Sequence, residues 1–215
     1  MSDKPNTQYI RPKDIDNRAT LGQRIVWRLE TFAWDVVYWW PVKMMSADRA
    51  SNFVGGLMRK IGPLFSQHKT VQRNLKLAFP DWSDEQIRDT ALLAWESVGR
   101  TAGELPHLPE IDPYSGDRVS VIGAEHLDAV EAADQGAVFI SGHFANWEVM
   151  AAVICNRPVD CLVTYRALNN PHIDRRLNKV RHDYGIGVLA PKGLGTRELM
   201  RALSSGRSVA LLNDQ

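Results

Sequence analysis

Two side chains in FISGHFANWEVM (139–150) set the chemical question: a histidine follows a glycine, and a glutamate stands five residues later. On one unbroken helix, five steps of about 100° would leave His143 and Glu148 about 140° apart. They converge only if the backbone changes conformation between them. The apolar run AVFI (137–140) reads as a strand, Ser141-Gly142-His143 as a turn, and Asn146 as the N-cap of a helix whose first residues are Trp147 and Glu148. His143 then stands at the carboxyl edge of a sheet, and Glu148 can reach back towards it. An imidazole oriented by a carboxylate is a general base. No G-x-S-x-G elbow is present, and Ser141 is too near His143 in sequence to be an obvious nucleophile. The chemistry that fits is direct: His143 deprotonates a substrate hydroxyl, which attacks an acyl group. From spacing alone, a capped helix with a surface-polar His and Glu fits as well.

Other polar groups converge on the same edge. Thr164-Tyr165-Arg166 ends the next predicted strand, and Asn169-Asn170-Pro171 opens the helix after it. SVALLNDQ reads as a strand delivering Asp214 at its carboxyl end, the usual place for ligand contacts in an open α/β sheet. Between Arg166 and Arg207 stand nine Lys and Arg against three acids. In a chain of net charge +1 this local excess suggests phosphate, anionic lipid or an acidic carrier protein, with solvated helix faces as the alternative. The overall balance carries no nucleic-acid signature. One His–carboxylate pair without a third ligand at metal spacing argues against a metal site. Cys155 and Cys161 supply neither a disulfide framework nor zinc spacing and are read as reduced and buried.

The elements that must position these groups are legible from Val119 onwards. Runs at 119–122, 137–140, 160–165, 186–189 and 208–212 read as strands, with helices near 124–134, 147–155, 171–184 and 195–205. Strands spaced by helices imply crossover units and a largely parallel sheet flanked by helices. Residues 19–103 read as a helical region: a segment at about 46–60 capped by Ser46 or Asp48, another at 67–79, and a capping box Ser83–Gln86 opening a helix through about Gly103. Residues 104–118 hold three prolines and read as a connector, and 1–18 as a polar tail without a signal peptide. Four of the seven tryptophans fall in IVWRLETFAWDVVYWW (25–40), which Pro41 is expected to end. Arg24, Arg28, Thr31 and Asp35 form a narrow polar stripe there, and most of the remaining surface is apolar. Such a helix lies in a membrane interface or packs on the protein's own core. No run of about 18 uncharged apolar residues predicts a spanning helix.

GHFANWE (142–148) resembles the H-x-x-x-x-[DE] block of glycerolipid-type acyltransferases, and its form is closest to the bacterial lipid A biosynthesis (late) acyltransferases, the lauroyl and myristoyl transferases. RNLKLAFPDWS (73–83), IGAEHLDAV (122–130), TYRALNNP (164–171) and the terminal NDQ match in the same order, from about residue 20 onwards. The resemblance implies a glycerolipid-acyltransferase-like α/β core with an N-terminal helical, membrane-facing region. It also implies transfer of an acyl chain from acyl carrier protein to a hydroxyl of a lipid A precursor, without metal or organic cofactor. The expected location is the cytoplasmic face of the inner membrane, at an anionic membrane surface. His143 and Glu148 correspond to the family's catalytic pair. Arg166 and Asp214 correspond to substrate-binding positions, with Asn146 and Tyr165 beside them. Ala167 stands where relatives often have proline. Relatives continue beyond the D-Q block, so a C-terminally truncated core is expected. Another glycolipid or a lysophospholipid as acceptor, or a non-catalytic membrane-surface protein binding acyl carrier protein, would share many of these features.

Overall fold

The structure, a computed structural model, describes residues 19–133, 135–191 and 195–214. The polar tail expected over 1–18 and Lys192 of the basic region lie outside the described residues. Contacts divide the chain into two compact units, Trp39–His107 and the remainder, Met1–Tyr38 with Leu108–Gln215. Helix α1 (Leu21–Trp34) opens on a capping box between Thr20 and Gln23. Pro41 does not end the segment. A π-helical turn, Asp35–Trp39, leads into a further helical turn, Trp40–Lys43. Proline falls in the first turn of that last piece, directly after the π-helical turn.

In the unit 39–107, α2 (Ala47–Ile61) is capped by Ser46, and α3 (Gln67–Ala78) and α4 (Asp84–Glu104) follow. The box Ser83–Gln86 forms at the start of α4. Glycines let α2 and α4 approach closely. A Cβ at Gly99 would stand 2.6 Å from the Val54 carbonyl oxygen, and one at Gly55 2.7 Å from Arg100 Cγ. Gly55 therefore serves helix packing, which offsets its weak helical propensity.

The other unit carries the sheet. Its elements are α5 (Ala124–Ala132), β1 (Val138–Ser141), α6 (Trp147–Cys155), β2 (Cys161–Tyr165), α7 (Pro171–Asp183), β3 (Val188–Pro191), α8 (Gly195–Ser204) and β4 (Ser208–Leu212). All pairings are parallel, in the order β1-β4-β2-β3. The run at 119–122 is not a strand: it is irregular and Ile122 is 95% exposed. Its β-branched residues find no neighbouring strand among the described residues, and propensity alone does not hold a strand. Alternate residues feed two core clusters. Cys161 and Ala210 join Leu127 and Ile154 of α5 and α6. Leu162 and Val209 join Ala202 of α8. Adjacent strand residues point to opposite faces, so helices cover the sheet on both.

Helix α1 packs its polar side on α7 in this same unit. Asp35, just beyond α1, pairs with Arg176, whose guanidinium lies 5.8 Å from the centre of the Trp34 ring. At about 100° per residue, Leu21, Ile25, Leu29, Phe32 and Val36 share one face, about 90° round from the stripe of Arg24, Arg28, Thr31 and Asp35, and all five are exposed. Thr31 and Asp35 turn inwards together with Trp27 and Trp34, all part-buried, while Arg24 and Arg28 are exposed beside the apolar face.

Candidate active site

Parallel strands place their carboxyl ends on one edge, and the strand order decides which loops are neighbours. Strand β4 lies between β1 and β2. The residues that follow β4 therefore emerge between His143, after β1, and Arg166, after β2. The β1–β4 register pairs Ser141 with Leu212, and the Asn213 amide continues the ladder by donating to the Ser141 carbonyl at 2.8 Å. One residue further on, Asp214 arrives beside His143.

Both carboxylate oxygens of Asp214 meet that histidine. The His143 backbone amide donates to Oδ2 at 2.7 Å, and Nδ1 lies 2.8 Å from Oδ1. The amide, then the ring, hold the Asp214 carboxyl below its ordinary pKa. An ionised carboxylate can only accept, so Nδ1 carries the proton and Nε2 is left as the basic nitrogen. Gly142 permits this approach: a Cβ there would stand 3.0 Å from Asp214 Oδ2 and 3.0 Å from the Phe144 ring. Ala145 holds a left-handed φ of 41°, an uncommon conformation for a residue with a side chain, in the turn before the helix. Asn146 caps α6 by accepting from the Glu148 amide at 3.2 Å. Trp147 sets its ring edge-on to His143, with centroids 5.0 Å apart.

Glu148 goes elsewhere. It is 5% exposed, and its two oxygens take Arg181 Nε at 2.9 Å and Nη2 at 2.5 Å. The expected His143–Glu148 contact is thus replaced by His143–Asp214. A carboxylate on the first helical turn points along the helix flank, where α7 presents a fork that matches it bidentately. Burial works against the Arg181 charge, but hydrogen bonding and attraction to Glu148, with Asp174 and Tyr165 adding, leave its pKa raised. Arg181 Nη1 also donates to Asn178 Oδ1 at 3.1 Å. Tyr165 is buried at the end of β2, whereas Arg166 is exposed and has no ion pair among the described residues. Asp174, 2% exposed, accepts from the Leu168 amide at 2.8 Å and so fastens the loop that bears Arg166. Asp174, Asn178 and Arg181 recur at four and three residues on α7. That polar stripe on a helix expected to pack on the sheet was the sequence signal for them.

Among the described residues no group of three or more His, Cys, Asp or Glu is placed to hold a metal ion. Cys155 and Cys161 are free thiols. No helix among the described residues is long and apolar enough to cross a membrane.

Comparison with known proteins places this geometry in context. The sequence model of a family described as bacterial lipid A biosynthesis acyltransferase matches residues 23–215. A protein of Escherichia coli (strain K12) named lipid A biosynthesis lauroyltransferase is 33% identical over 109 residues, which is 49% of this chain and 35% of that protein. The match thus spans about a third of the relative's own length.

Proposed function

The chain belongs to the bacterial lipid A biosynthesis acyltransferases, and from that premise we propose that it moves a fatty acyl chain from an acyl carrier protein thioester to a hydroxyl of a lipid A precursor. The observation that carries this reading is the His143–Asp214 pair at the carboxyl edge of the sheet, with Nε2 left basic. His143 Nε2 takes the proton of the acceptor hydroxyl. The freed oxygen attacks the thioester carbonyl carbon, the carbon–sulfur bond breaks, and the imidazolium returns the proton to the departing thiolate. Asp214 fixes the tautomer and stabilises the charged ring. Arg166 stands two strands from His143, at about 4.8 Å per strand, and meets either the developing oxyanion or an acceptor phosphate. Asn146 holds the helix start against substrate. Tyr165, buried at the end of β2, anchors the strand that leads to Arg166. Glu148 serves the scheme by fixing α6 to α7 through Arg181. No cofactor is needed.

The reaction is assigned to the cytoplasmic face of the inner membrane. There the apolar face of α1 would lie in the interface, and the basic residues of 166–207 would face carrier protein and lipid phosphates. The test is acyl transfer from labelled acyl carrier protein to lipid A precursors by the full-length gene product, with His143→Ala in parallel. The expected loss is about 10²–10⁴-fold in kcat, the usual contribution of a general base. Undiminished turnover by His143→Ala would overturn the mechanism, and labelling of lysolipids alone would replace the acceptor.

A further inference from the structure

Asn170 caps α7, but capping uses only half of its side chain. Its Oδ1 accepts from the amides of His172 at 3.0 Å and Ile173 at 3.4 Å. Its Nδ2 donates outwards to α1, to the Trp27 carbonyl at 2.8 Å and to Glu30 Oε2 at 3.1 Å. The Thr31 hydroxyl, 2.7 Å from that same carbonyl, lies 3.3 Å from Asn170 Oδ1. Asn170 is 6% exposed. A cap alone requires only the acceptor, and Asp or Ser would serve equally; the amide nitrogen is what reaches α1. Two residues earlier Leu168 is fastened to Asp174. The short stretch between Arg166 and α7 is thus pinned to its own helix by Asp174 and to the apolar-faced helix by Asn170.

We propose that Asn170 is a positioning residue that locks α1 to the Arg166 loop, so that the surface met by the apolar face of α1 and the guanidinium of Arg166 keep a fixed separation. This rests on the function proposed above. Its consequence is specific to presentation: the lock governs capture of an acceptor lying in a bilayer and leaves the chemical step alone.

The experiment uses Asn170→Asp, which keeps the cap but replaces both donors to α1 with a carboxylate facing Glu30. With a lipid A precursor in phosphatidylethanolamine–phosphatidylglycerol vesicles, KM rises about tenfold, the size of one hydrogen bond to a charged group. With the precursor in detergent micelles KM stays near wild type, and kcat holds on both. Glu30→Gln alone is silent, because its amide oxygen still accepts. Combined with Asn170→Asp it rescues part of the loss, because its amide nitrogen now donates back across the same gap, while the Trp27 carbonyl still lacks its donor. Wild-type kinetics in Asn170→Asp, an equal kcat loss on both presentations, or failure of the double variant to rescue would each overturn the proposal. Hydrogen exchange at the amides of residues 168–174 reads the lock without turnover. Vesicles slow it in wild type and not in Asn170→Asp, and absence of that difference also overturns the proposal. If wild type transfers no acyl chain, or His143→Ala still does, the reaction assignment falls while exchange still decides the lock.

Discussion

Asp214 receives two hydrogen bonds from a single residue, one from its backbone and one from its ring. The backbone bond fixes where the carboxylate sits, and the ring bond fixes which nitrogen of His143 is basic. Gly142 is the residue that makes room. Asp214→Asn keeps the shape but lets the amide present either a donor or an acceptor to the ring, so the tautomer is no longer imposed. A fall in kcat of about 100-fold is expected, within the range for a disabled general base, and single-turnover acyl transfer measures it. The same carboxyl predicts an acid signature. Its folded pKa lies below the ordinary 3.8, so its contribution to stability is present above that value and is lost as pH falls through the lower, folded one. The stability gap between wild type and Asp214→Asn, read by denaturant melts, persists from neutral pH down to about pH 4 and closes below it. A gap that closed between pH 7 and 5 would show that the carboxyl is not held by its bonds to His143.

Helices α6 and α7 are joined by the Glu148–Arg181 fork, with side-chain exposures of 7% and 18%. Arg181→Met strands a buried carboxylate and is expected to cost about 3–5 kcal/mol of unfolding free energy. Glu148→Leu with Arg181→Met removes both charges and recovers most of that loss, since an apolar pair of similar volume can replace a buried ion pair. A double variant no more stable than Arg181→Met would show that the fork is not a closed pair. This element also marks how far the sequence could be read. The strand–turn–cap–helix path through 137–155, the box at Ser83 and the helix at 171–183 are local, and propensity, capping and spacing reveal them. Which carboxylate meets His143 is not local. It depends on β4 entering between β1 and β2, a pairing across some seventy residues that no window of sequence contains. Glu148 looked like the partner because only chain neighbours can be compared without a strand order. The run at 119–122 looked like a strand because its residues favour one, while the pairing that would hold it is again long-range.

At the scale of the molecule, α1 reconciles two readings that the sequence left open, since one side of it is packed and the other is bare. Of its polar stripe, Thr31 and Asp35 lie on Asn170 and Arg176, while Arg24 and Arg28 are exposed. Its apolar side is left outwards, with Leu29 64% and Phe32 68% exposed. Scattered exposed apolar residues are ordinary, but a continuous apolar helix face is not. Arg24 and Arg28, exposed beside this face, can extend their charged ends to lipid phosphates. Because the face bears no packing load within its own unit, Leu29→Glu with Phe32→Glu leaves the melting transition near that of wild type. The same change removes two large apolar side chains from the interface and adds two charges repelled by an anionic surface. Partitioning onto phosphatidylglycerol-containing vesicles, measured by flotation, is expected to fall at least about tenfold, since each buried side chain of this size is worth about 1.5–3 kcal/mol. Unchanged partitioning would assign the bare face to a protein partner, and a collapsed melting transition would show that it is packed.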